Sequence, residues 1–177
     1  MKPNSLQELY VEQLRDLYDG EHQIIKALPK MIEKATSHEL KRALNEHLEV
    51  TKEQAIRMEN IFQNMSEKPK GEKCKGMQGI IDEGDDLIGD VKDSDVRDAA
   101  IIASAQRVEH YEMAGYGTAR TFAQLLGQKN AIQLLQQTLD EEKEADQTLT
   151  DLASDINVSA NGGESMEGET RRTRRVA

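Results

Sequence analysis

Apolar residues recur every three to four positions over four long stretches of the chain, and that rhythm predicts four amphipathic α-helices. The first, "NSLQELYVEQLRDLYDGEHQIIKALPKMIEKA", opens on Ser5 with Glu8 three residues later, the signature of a capping box. Tyr10, Leu14, Leu17, Ile24, Ile25 and Leu28 fall within about 60° of Glu21 on a helical wheel. Glu21 therefore lies in the middle of the apolar stripe. Pro29 predicts a kink or local break. Ser37 starts the second helix, whose stripe runs through Leu40, Ala43, Leu44, His47, Val50, Thr51, Gln54, Met58 and Ile61. His47 points into that stripe, while Glu46, Glu49 and Glu53 point away from it.

The polar segment "SEKPKGEKCKG" ends this helix, and "MQGIIDEGDDLIGDV" predicts a short, broken helix within a long connection. Ser94 or Asp95 caps the third long helix, and Gly127 closes it. The fourth carries Leu135, Thr138, Glu142, Asp146 and Leu149 on its inward stripe. The other two links are short. A long connection between the second and third helices lets them run parallel by crossing the length of a bundle, as in ferritin-like folds. The expected architecture is all-α: residues 1–156 as a four-helix bundle with a short helix in the crossover, and residues 157–177 as a disordered polar tail. The tail ends in an Arg cluster, read as a solvated segment.

Composition narrows the chemistry. The chain has 177 residues, 3% aromatics and no Trp, so its core is built from aliphatic side chains and Met. A formal net charge of -10 argues against binding nucleic acid through phosphate neutralisation. One cysteine, Cys74, excludes an internal disulfide and Cys-type zinc clusters within the monomer. No apolar run reaches membrane-spanning length and no signal-peptide pattern follows Met1, so a cytoplasmic protein without a membrane partner is expected.

The stretch "RVEHYEMAGYGTAR", residues 107 to 120, places carboxylates where apolar side chains belong. Ile102, Ala105, Glu112, Met113 and Tyr116 lie within about 60° of Glu109, and His110 flanks them. Every long helix thus puts polar groups on its core stripe near mid-length. They are Glu21, then His47, then Glu109 and Glu112, then Glu142 and Asp146. Burying an unpaired carboxylate costs several kcal/mol, against about 5–15 kcal/mol for the stability of a whole domain. Among inward positions only Arg120 offers a basic side chain. Protonation, basic partners or bound cations could compensate; bound cations are the better answer, and oxygen-rich donors with an imidazole suit iron or manganese. Di-metal bundles use one Glu from each of two helices and Glu-x-x-His from the others. Here the third helix has Glu-x-x-Glu, the fourth Glu-x-x-x-Asp, and the second His47 followed by Val50. Gly115 and Gly117 each cost about 1 kcal/mol relative to Ala in a helix. Close approach of a neighbouring helix is the expected reason for both. Tyr18, Tyr111 and Tyr116 are candidates for hydrogen bonds to the ligands.

"ELYVEQLRDLYDGEHQI", "EHLEVTKEQ", "VRDAAIIASAQRVEHYEMAGYGTART" and "TLDEEKEADQTLTDLA" resemble the YciE/YciF-type ferritin-like stress proteins of bacteria. The similarity runs from about residue 5 to 155, and its third-helix motif is the most specific part. It implies a ferritin-like four-helix bundle, a homodimer and a role in stress responses. It also implies Glu21, His47, Glu109, Glu112, Glu142 and Asp146 as the metal ligands, with a Glu expected where this chain has Val50. The leading expectation is a metalloprotein holding iron or manganese, two ions per chain, that reacts with oxygen or peroxide. The alternatives are a non-enzymatic stress or interaction protein with a vestigial site, and a mineral-storing shell.

Overall fold

Local signals at the helix ends account for where each element begins. The computed structural model describes residues 3–162, and among them there are helices and no strand. Helix α1 (Leu6–Lys34) starts where the Ser5 hydroxyl accepts the Glu8 N–H at 3.1 Å. The return bond of the capping box lands one residue early, from the Asn4 N–H to Glu8 Oε2 at 2.7 Å. Pro29 does not interrupt α1, which continues to Lys34 with the proline on its exposed side. A missing N–H there is tolerated because solvent serves the freed carbonyl.

Ser37 caps α2 (His38–Asn64), as its spacing predicts. Helix α3 (Lys75–Gly89) is one continuous element rather than a broken one. Its Met77, Gly84 and Ile88 are buried, and it packs on α4 and α1. Tertiary burial outweighs the glycine content. The cap of α4 (Ser94–Leu125) is Asp93, whose carboxylate accepts the Asp95 and Val96 N–H groups, rather than Ser94 or Asp95. Gly127, with φ of 69°, turns the chain after α4 as expected. Helix α5 (Lys129–Ala160) extends past Asn157, where a tail was expected to begin. The Arg cluster lies outside the described residues.

Four long helices touch in a ring: α1 on α2, α2 on α5, α5 on α4 and α4 on α1. Their interior contains two separate apolar clusters. One gathers Ile24, Leu28, Leu40, Leu44, Ile101, Ile102, Ala105 and Leu149, and α3 adds Met77 and Ile88. The other gathers Tyr10, Leu14, Leu17, Met58, Phe62, Tyr116 and Leu135. On every long helix the residues between the two clusters are those whose polar side chains are turned inward. No described helix is long and apolar enough to cross a membrane.

Candidate metal centre

The layer between the apolar clusters is built from Glu21 on α1, His47 on α2, Glu109 and Glu112 on α4, and Glu142 on α5. Glu21 and Glu142 are fully buried, and Glu112 and Glu109 are 1% and 2% exposed. His47, Glu109, Glu112 and Glu142 each offer one donor atom, and those four atoms lie within 4.8 Å of one another. Glu109 and Glu112 share a face because three residues are nearly one helical turn. His47 Nε2 lies 3.4 Å from Glu109 Oε1.

Protein partners do not satisfy this layer. Glu21 Oε2, Glu109 Oε2, Glu112 Oε2, Glu142 Oε2 and His47 Nε2 are buried without a hydrogen bond among the described residues. Such orphan atoms cost about 1–3 kcal/mol each, and more when charged. Burial, then the Glu142 charge, pushes Glu21 and Glu109 well above the usual carboxylate range. Burial and the facing Glu21 do the same to Glu112. Burial raises Glu142 to about 7. Burial also lowers His47 to about 4, so the imidazole is neutral and its lone pair is free. Glu112 also bears on Glu21, and Glu109 on Glu142, so the carboxyls crowd one another where burial already favours the protonated form. Hard oxygens, one neutral imidazole and no thiolate form a donor set that fits iron or manganese.

The remaining predicted residues sit around this cluster. Glu21 borders it through Glu112, and the Tyr116 hydroxyl donates to Glu21 Oε1. Asp146 stands one turn beyond Glu142 at the rim, 23% exposed. Gln106 Nε2 donates to it at 3.1 Å, and the exposed His110 lies 3.4 Å away. Of the three tyrosines singled out, only Tyr116 is hydrogen-bonded to a predicted ligand. Tyr18 donates to Glu59 and Tyr111 to Asp16.

Two polar residues beside this layer were not read from the sequence as part of the site. Arg57, not Arg120, is the basic group beside the layer. It is 8% exposed, and its guanidinium grips Glu141 at 2.8 and 3.0 Å and Thr138 at 2.7 Å. Arg120 donates to Gln136 instead. Gln54 is fully buried, and its amide donates to Glu142 Oε1 and, at 3.2 Å, to Glu141 Oε2. Burial alone would raise Glu141, but bonds from Arg57 and Gln137 outweigh it and hold the carboxyl below its ordinary range.

A family model described as "Domain of unknown function (DUF892)" matches residues 5–161. YciF of Escherichia coli K12 is 40% identical over 162 residues, covering 90% of this chain and 98% of that protein. The crystal structure of the E. coli stress protein YciF superposes with a TM-score of 0.84 at 39% identity, over 87% of this chain and 98% of that one. YcfI from Rhodopseudomonas palustris, provisionally described as structural, gives 0.81 at 44% identity, over 83% and 94% of the two chains. The chain belongs to the DUF892 family.

Proposed function

We propose that this DUF892 member is a YciF-like stress protein that binds iron or manganese, up to two ions per chain, in its core. The proposal takes the four long helices as a ferritin-like bundle. In support, α1 and α5 meet the two apolar clusters in one order along the chain, and α2 and α4 meet them in the reverse order. That pattern supports α2 and α4 running parallel, with α3 part of a crossover. Family likeness extends the proposal to a homodimer.

One observation carries the reading. Five buried donor atoms from the four long helices face one layer with no hydrogen-bond partner among the described residues. His47, Glu109, Glu112 and Glu142 would hold the first ion. Glu21 would serve a second together with Glu112, and Asp146 would close the rim. Iron or manganese bound there would supply redox chemistry toward oxygen or peroxide. The chain's own part is to bind, to exclude water through the apolar clusters on both sides, and to hold a proton at Tyr116, whose hydroxyl burial raises well above its ordinary range.

Metal analysis tests this directly. Protein loaded with Fe²⁺ or Mn²⁺ and desalted should retain about two ions per chain, and Glu142→Ala should lose them. Retention of no metal by the loaded wild type would overturn the proposal. A second reading, a structural protein with a vestigial site, is favoured by Val50 in place of a carboxylate. It expects a melting temperature that ignores chelators.

A further inference from the structure

Gln54 reads from the sequence as one more polar residue on an apolar stripe, yet its side chain is fully buried beside the carboxylates of Glu141 and Glu142. Both of its N–H bonds are used. One goes to Glu142 Oε1 and the other to Glu141 Oε2, which Arg57 grips in turn. Those two bonds fix the plane of the amide. The remaining polar atom, Gln54 Oε1, is buried and has no hydrogen-bond partner among the described residues. A buried side chain anchored this firmly, with its one acceptor unpaired, is suited to donate that oxygen to a cation.

Its place on α2 agrees. Gln54 stands seven residues after His47, about two turns on and nearly in line with it. Val50 lies between them on the same stripe and offers no donor atom. An amide oxygen is a hard donor suited to a hard cation, and it adds no negative charge.

We propose that Gln54 Oε1 is a further metal-donor atom, supplied by α2 in place of the carboxylate that Val50 lacks. This rests on the metal-centre reading above. The test is calorimetric titration of the metal-free full-length protein with Mn²⁺ at neutral pH. Gln54→Leu should weaken binding at least about tenfold. Gln54→Glu, which keeps an oxygen at the same reach, should retain affinity within about threefold. Helical content by circular dichroism checks that each variant folds. Should Gln54→Leu fail to fold, Gln54→Met fills the same space with a poor donor for a hard cation and takes its place.

The outcomes separate the two ideas. Binding by the wild type with Gln54→Leu unchanged overturns the Gln54 assignment and leaves the metal centre standing. A loss in Gln54→Glu as large as in Gln54→Leu also overturns it, because the amide then acts only by donating N–H to Glu142. A wild type that binds no Mn²⁺ removes the centre and this donor together.

Discussion

Gly115 and Gly117 lie two residues apart on α4 and exist for different reasons. A Cβ on Gly115 would fall 2.6 Å from Leu17 Cδ2, so α1 does approach closely there. A Cβ on Gly117 would meet nothing within 4 Å, and close approach does not explain that residue. Gly117→Ala should therefore stabilise the protein by about 0.5–1 kcal/mol, read as a higher urea midpoint at unchanged slope. A lower midpoint would mean that Gly117 carries a constraint of another kind. The same scale shows what a helical wheel can read. Glu21, Glu109, Glu112 and Glu142 were legible as inward because their Cβ directions lie in the middle of their stripes. Arg57 was not, because its Cβ leaves from the flank of the α2 stripe. A long side chain carries the guanidinium in from there. Its partners Glu141 and Thr138 belong to α5, and pairing across helices leaves no trace in the periodicity of either one.

Between elements, the α1–α2 link is fixed by the first turns of α4. Asp98 is 3% exposed, and its two carboxylate oxygens each accept a backbone N–H at 2.7 Å, from Thr36 and Ser37. Arg97 beside it donates to the Lys34 carbonyl at 3.0 Å and to Thr36 Oγ1 at 3.2 Å. The clamp matters because Ser37 is also the cap that starts α2, which carries His47 and Gln54. Hydrogen bonds to a charged group are worth about 1.5–3 kcal/mol each, so Asp98→Ala should cost roughly 3 kcal/mol or more. Chemical denaturation measures it, and a loss under about 1 kcal/mol would show that water replaces the carboxylate. Asp98→Asn, with one acceptor left, should fall between. Helix positions and most caps were legible because each needs only a few neighbouring residues. The clamp joins positions about 60 residues apart, and α3 holds together by packing on α4. Neither is written in local sequence.

Across the molecule, the inward layer sets how stability depends on pH and on metal, and it does so with opposite signs. Glu21, Glu109 and Glu112 titrate well above their ordinary 4.5 in the folded chain, and Glu142 at about 7. A raised carboxyl keeps its proton more tightly when folded. Its stabilising contribution is complete below 4.5 and is lost as pH rises through the folded value. His47 runs the other way. Its folded value of about 4 lies below the ordinary 6.5, so its contribution is complete above 6.5 and is lost as pH falls toward 4. Four carboxyls outweigh one imidazole. The metal-stripped protein should therefore melt at a higher temperature near pH 5 than near pH 7. Bound metal inverts this slope, because every ligand must give up its proton to bind. Free ion at 100 times the dissociation constant would add about 2.7 kcal/mol, and the same ion concentration adds more as pH rises and binding tightens. Melting curves of stripped and Mn²⁺-loaded protein across this window should thus diverge toward neutral pH, and a chelator should merge them again. Curves that coincide throughout would favour the structural reading, in which the carboxyls keep their protons and the layer holds no ion.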